Sequence, residues 1–401
     1  MNKTRPSSKA IGQRGLFILL TLLGLSVNVC RAAVDNAALY YYQALLQCPA
    51  DRDLFHDEMQ MLKRGEDISN VLRERMELYR VTVIPPIEMG TQMDRCEWGL
   101  PIPFTSYDEM DRRGINLHKI LWADVCLRLA DGDGEGAIKS CLTLHQLNCH
   151  MAQDADLGRA ALVSEIVYFF KAMKQIVESE RLSPQTLLRL EEPLGQNVNK
   201  SMLINSVKAD AKDSEYLFEQ SWKAPGSIQF IRNFIDPEST DHYKEQKKDW
   251  DRYDDEELHA LIRNRYAKFT NQLCLELKDV KPPYNLAFLK IHEKLSADDN
   301  RDDPLFADYL GPDDLYEPMS RFLVAETKIG ALKAALAIYL IKAQTGELPE
   351  TAPPGFPTNP YDNEAFKYTV TENGFKLSYI IADGPYGRPQ TKDIEFQCPD
   401  K

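Results

Sequence analysis

Two short runs carry side chains whose types and spacing could do chemistry. Asp131-Gly-Asp-Gly-Glu-Gly136 sets acids at alternate positions and a glycine at the sixth, which is how a twelve-residue calcium loop opens. Such a loop needs a bidentate glutamate at its twelfth position, where this chain has Leu142, and Lys139 puts a cation at the ninth. What the run does support is a tight turn between helices, because Gly and Asp tolerate the left-handed backbone. Downstream, Cys141, His145 and Cys149 recur at i, i+4 and i+8, with His150 beside them, which lines one face of a helix. Thiolates and imidazoles bind zinc, but eight residues of helix span about 12 Å and zinc bonds are about 2.0–2.3 Å, so one ion cannot reach both ends. The row reads as small buried thiols beside a core histidine. Neither run is assigned a metal, and no cofactor is expected.

The signatures of catalysis are missing. His292-Glu293 is followed by Lys294-Leu-Ser-Ala297, without the second histidine of a zinc protease. There is no Gly-x-Ser-x-Gly elbow, no Gly-x-x-x-x-Gly-Lys phosphate loop and no Cys-x-x-Cys pair. Acids are plentiful, but a glycosidase-type pair is defined by its spacing in space, not in sequence. The run from Asp249 to Glu257 reads as a solvated helix face. No residue is assigned a catalytic role.

The elements that must position these groups begin after an export signal. Lys3, Arg5, Lys9 and Arg14 form a basic head, no acid precedes Asp35, and Leu16 to Val29 is almost wholly apolar. That run is short of the roughly 20 residues a spanning helix needs. Cys30-Arg31-Ala32 offers small residues where signal peptidase reads, which sets cleavage after Ala32. Acylation of Cys30 is disfavoured by Val29, and an anchor retained at residues 16–29 is the other outcome. Removing residues 1–32 takes away five cations and no acid, so the net charge falls from −13 to −18. Nonspecific nucleic-acid binding is excluded by that balance. It suits a neutral or basic partner, or solubility alone. Seven of the eight cysteines lie beyond residue 32, scattered and odd in number. Exported chains can form disulfides, though one this long does not need them to fold.

Helical periodicity runs over Asn36–Gln47, Asp67–Arg80, Ile115–Leu129, Ala137–Met151 and Leu157–Glu180. Ser183 then caps a further helix opened by Pro184. Antiparallel packing about Gly134 sets Cys126 roughly opposite Cys141, which makes a disulfide sterically conceivable; buried free thiols are the alternative. Ser201–Lys278 reads as more helix and Lys281-Pro-Pro283 as a loop. A helix with Phe322, Ile329, Leu332, Leu336 and Tyr339 on one face ends at Gly346. Phe366 to Ile380 then reads as a hairpin turning at Asn373-Gly374, with Val370 opposite Leu377, Tyr368 opposite Tyr379 and Phe366 opposite Ile381. The expected organisation is a leader at 1–32, an N-terminal helical segment at 33–84, a Pro-containing linker at 85–103, a helical array at 104–296, an acidic loop at 297–319 and a helix-plus-hairpin module at 320–401.

Three resemblances add to this. Leu129-Ala-Asp-Gly-Asp-Gly-Glu-Gly-Ala137 resembles the turn of tetratricopeptide-like hairpins, over one hairpin and without a repeating 34-residue period. The larger pattern, from Cys96-Glu-Trp-Gly99 to Thr345-Gly-Glu-Leu-Pro-Glu350 and Asn359-Pro-Tyr-Asp-Asn-Glu-Ala-Phe-Lys-Tyr368, resembles a family of uncharacterised exported bacterial proteins, which implies no known activity. The C-terminal part is also similar to the soluble domain of type II secretion major pseudopilins. Their N-terminal helix carries a glutamate near its start, which Gly15-Leu-Phe-Ile-Leu-Leu20 lacks, so only the local fold carries over.

The sequence therefore predicts a mainly α protein of tetratricopeptide-like stacked hairpins with a small C-terminal helix and β-hairpin. Its expected function is that of an exported, non-catalytic binding or scaffold protein that holds a protein or peptide in a helical groove. The alternative is an extracytoplasmic hydrolase of glycans or peptides working through an acid pair. Membrane contact is expected only through residues 16–29, if the leader is retained. N-terminal sequencing of the protein from its native envelope should find Ala33 first in a soluble fraction; recovery of Met1 in membranes would overturn the cleaved leader.

Overall fold

The computed structural model describes residues 35–49, 55, 57–58, 69–99, 107–154, 157–179, 182–195, 199–223, 252–297, 312–382 and 388–398. The leader and most of the acidic loop lie outside them. The chain is mainly helical, with a small three-stranded antiparallel sheet near its C-terminal end.

Helix α1 (Ala37–Gln47) starts at Asn36, whose side-chain oxygen accepts from Ala38 N at 3.1 Å. The same side chain clamps Glu97, donating to its carbonyl and accepting from its amide at 2.9 Å each. Helix α2 (Asn70–Thr82) is capped by Ser69, and α3 (Ile84–Thr91) follows at once. The expected linker at 85–103 thus begins inside a helix. Pro85 and Pro86 fall in the first turn of α3, where the amides they lack would have had no partner. The segment Cys96–Gly99 beyond it also packs inward: Trp98 stacks on Tyr41 at 5.5 Å and donates to the His150 carbonyl at 3.0 Å.

Helices α4 (Tyr107–Ala130) and α5 (Gly134–Met151) form the expected hairpin, with Gly132 at φ +75° in the turn. The next helical stretch is interrupted: α6 (Gly158–Ser164) passes through one π-helical turn (Glu165–Phe169) into α7 (Phe170–Ser179). Ser183 and Pro184 open α8 (Pro184–Leu194) as the sequence implies. Helices α9 (Asn199–Lys223), α10 (Asp255–Lys278) and α11 (Tyr284–Ala297) follow. The last helix, α12 (Pro312–Thr345), starts inside what the sequence suggests is a loop through residue 319, and it stops at Gly346 with φ +85°. It packs on α9, α8 and α7, and buried side chains from α1 to the sheet make one continuous core. All seven described cysteines are free; Cys126 bonds Gln175 and not Cys141.

The Asn359-Pro-Tyr-Asp362 run has a definite task. Asn359 is buried, receives Thr327 of α12 at 3.2 Å and donates to the Ile380 carbonyl at 2.7 Å. The carbonyls of Pro360 and Tyr361 accept the amides of Tyr284 and Asn285, so this turn satisfies the exposed N-terminal donors of α11.

The strands are β1 (Lys367–Thr371), β2 (Gly374–Ile381) and β3 (Gln390–Gln397), in the order β1-β2-β3. The hairpin register differs from the expected one. Val370 pairs with Phe375 and Tyr368 with Leu377, so the two loop residues are Glu372 and Asn373. A slip of two residues keeps every side chain on its face. The core-facing set therefore includes Leu377 and Ile381 as expected, adds Phe375 and Phe396, and leaves Val370 45% exposed. Phe375 stacks on Phe396 at 5.1 Å and meets Tyr339 of α12 edge-on at 5.4 Å. Glu178 of α7 accepts the Gln397 amide at 2.8 Å.

Gly374 is needed for closeness and not for a left-handed backbone. A Cβ there would stand 2.0 Å from the Phe396 carbonyl oxygen of the neighbouring strand. Gly374→Val should destabilise the protein by about 1–3 kcal/mol, in the range of overpacked core sites. A fall in the urea midpoint with new proteolytic cuts within 367–397 is the expected result; an unchanged midpoint would show that β3 yields freely.

Candidate functional site

The Asp-rich turn is occupied by arginines. Asp131 pairs with Arg73 of α2 at 2.7 Å, Asp133 with Arg128 of α4 at 2.6 Å, and Glu135 with Arg189 of α8 at 3.1 Å. Asp133 also accepts the Gly136 amide at 2.9 Å, and this cap, with Arg128, holds its carboxyl below the usual range. Lys139, at the ninth loop position, pairs with Glu88. The three carboxylates point to three different helices, so the turn is a staple. Beneath it, Asp124 is fully buried and accepts from Arg80, Arg128 and Ser140, each at 2.6 Å.

The row along α5 faces the interior. Cys149 Sγ lies 3.6 Å from His145 Nε2, and His145 Nδ1 lies 3.6 Å from Glu165 Oε1 in the π turn. Glu165 Oε2 accepts from Asn148 at 2.7 Å, and the Phe169 ring covers the His145 ring at 4.7 Å. Burial alone would strip the proton from His145, but contact with Cys149 and Glu165 outweighs it and holds the imidazole up at about 10. His118, fully buried without an acid, is pushed down to about 3 and is neutral. Burial raises the Cys141 thiol far above its ordinary range. His150 turns to the other side of α5, where Tyr41 bonds its Nδ1 at 2.6 Å, and burial lowers it to about 4.

A thiol, an imidazole and a carboxylate in this order are the parts of a nucleophilic relay. Here all three groups are buried within the packed helices, with the imidazole and carboxylate 3.6 Å apart. Among the described residues, no three His, Cys, Asp or Glu side chains converge in a way that could hold a metal. Sequence reasoning missed Glu165; its only signal is a single acid inside the apolar run Val163 to Phe170.

Two further sites arise from packing between distant helices. Arg159 of α6 lies 2.9 Å from Asp213 and 3.3 Å from Asp210 on α9. Burial pushes the Asp210 carboxyl up to about 6, while Arg159 opposes the shift. The guanidinium fills the gap between these acids. The described part of the Asp249–Glu257 run, from residue 252, leads into α10 as a cap: Asp254 accepts the Glu257 amide at 2.8 Å, and Glu257 returns the bond.

Between α9 and α10 lies an open trough of about 200 Å³. Lys208, Ala211, Lys212, Glu215 and Phe218 line it at every third or fourth residue of α9, facing Arg263, Tyr266, Ala267, Thr270 and Asn271 of α10. Phe218 and Tyr266 are buried and form the floor. Arg263–Glu215 at 2.7 Å joins the two helices, and the His259 ring of α10 stacks on Phe218 of α9 at 5.3 Å. No described helix is long and apolar enough to cross a membrane. No family model matches the chain, and no curated protein or solved structure matches it significantly.

The His145–Glu165 pair makes stability depend on pH. The folded imidazole titrates near 10 and the unfolded one near 6.5. Its contribution is therefore complete below pH 6.5 and is lost as pH rises towards 10. Urea midpoints should fall across that window in the native protein and fall less in His145→Gln; equal slopes in the two would assign the loss to other groups.

Proposed function

We propose that the protein is an exported, non-catalytic binding protein that holds a peptide segment of a protein partner in the α9–α10 trough. The observation that carries this reading is the trough itself: an open channel between two helices, with an aromatic floor and polar walls. An apolar side chain of the peptide fits the floor formed by Phe218 and Tyr266, while the walls meet its backbone and polar groups. Its one lining carboxylate, Glu215, is committed to Arg263. The tetratricopeptide-like arrangement belongs to the same proposal and draws support from the α4–α5 hairpin, whose turn chemistry and antiparallel packing are those of a stacked repeat unit.

The hydrolase reading has one observation in its favour, the Asp210–Asp213 pair with Asp210 raised to about 6. Arg159 lies on both acids at the position a substrate oxygen or water would need.

Ala267 is exposed and lines the trough, so Ala267→Trp fills it without removing a contact. Native-envelope pull-downs with the wild-type chain should recover a partner that the variant, folded by circular dichroism, retains at least about tenfold less well, as hot-spot blockade implies. Equal recovery by both would remove the trough from the binding surface. Hydrolysis of envelope glycans or peptides that Asp210→Asn abolishes would establish the second reading instead.

A further inference from the structure

The α9–α10 trough has two unlike ends. Glu215 of α9 meets Arg263, and Phe218, further along α9, meets His259, which comes earlier on α10; the two helices therefore run antiparallel. Lys208 and Lys212 accordingly face Ala267, Thr270 and Asn271 at one end, while Phe218 and Tyr266 floor the other. On α9, Lys212 and Lys208 precede Phe218 by six and ten residues, or about 9 and 15 Å of helix.

Charge is placed as unevenly as shape. The lining holds three cations and one acid, and that acid, Glu215, is engaged by Arg263 at 2.7 Å. Two further acids of α9, Asp210 and Asp213, turn to Arg159 at 3.3 and 2.9 Å and line no part of the trough. The α10 wall opposite the lysines carries no charge. Lys208 is exposed; its ammonium donates to the neutral Asn205 side chain at 3.4 Å and makes no ion pair among the described residues. Lys212, one turn on, stands on the same wall. In a chain of net charge −13, this end of the trough opposes the average sign of the surface and attracts an acidic ligand.

We propose that the peptide held in the trough is acidic: it seats an apolar side chain on Phe218 and Tyr266 and presents an Asp or Glu carboxylate to Lys208. An extended peptide advances about 3.3 Å per residue, so the carboxylate stands about three or four residues from the apolar anchor. The inference rests on the peptide reading above and adds the chemistry and spacing that select the peptide. Apolar contact on the floor supplies the hold, while the charged end guides the approach and fixes the direction in which the peptide lies.

A pool of random-sequence synthetic peptides passed over the immobilised protein, and in parallel over Ala267→Trp, tests this, with bound peptides read by mass spectrometry. Wild type should enrich peptides that pair a leucine or aromatic residue with Asp or Glu at that spacing, and Ala267→Trp should lose them. Lys208→Gln, a change at an exposed position, should weaken the best acidic peptide by about fivefold, the scale of an exposed ion pair, and leave its glutamine counterpart unchanged. Added salt should likewise weaken the acidic peptide more than the glutamine one. Apolar peptides enriched without an acidic bias, yet lost in Ala267→Trp, would overturn the acidic preference and leave the trough as a peptide site. Equal binding of the acidic peptide by wild type and Lys208→Gln would overturn it too. Identical enrichment by wild type and Ala267→Trp would remove the inference and the peptide reading together. Self-association of the chain that Ala267→Trp disperses would make a second copy the occupant and overturn the proposal.

Discussion

A single buried carboxylate sets the geometry of the N-terminal half. Asp124 is wholly removed from solvent, and an ionised acid there is tolerable only with its lone pairs filled. Arg80 comes from α2, Arg128 from one turn along α4, and Ser140 from α5, all at 2.6 Å. Those three bonds set the rotation of three helices about one point. Arg128 then extends outward to Asp133, which caps α5, so the interior charge and the surface turn form one connected network. Loss of one partner of such a buried pair costs about 3–5 kcal/mol, less here because both guanidinium groups are partly in water.

The π turn plays the corresponding part further on. It presents Glu165 to the interior of the hairpin and the Ile166 carbonyl to Lys328, and it carries Phe169 onto the His145 ring. Together with Cys149, its carboxylate explains why two buried histidines differ in charge. His145 meets Glu165 and keeps its proton, whereas His118 meets no acid and loses it. One wide turn thus sets the electrostatics on two sides of the same helix pair.

Much of this was legible where the cause is local. The α4–α5 hairpin follows from Gly and Asp in its turn, and the buried face of β2 follows from strict alternation. Strand register was not legible, because an Asn-Gly signal places a turn only if the flanking strands agree, and Phe375 with Phe396 favours a slip of two residues. Alternation of Ile394 and Phe396 was the available sign of β3. The helix at 84–91 was hidden by Pro85 and Pro86, which disfavour a helix interior but fit its first turn. The Asp-rich turn shows the limit most plainly. Its acids suggest a cation, and the cations prove to be Arg73, Arg128 and Arg189, two of them more than 50 residues away. The α9–α10 trough has no sequence sign at all, because each wall is an ordinary amphipathic stripe until the other is beside it.

Gln397 and Glu178 are hydrogen-bonded across 219 positions of sequence, while Lys328 reaches Ile166 across 162. The flank of α7 that receives β3 is made early and covered late. While the nascent polypeptide lengthens, this flank stays open, with Phe396 still unmade and its future neighbours wet. Contacts of such long range are slow to form and leave apolar surface uncovered meanwhile. Because β3 follows in sequence every element that it covers, its arrival decides when this flank closes.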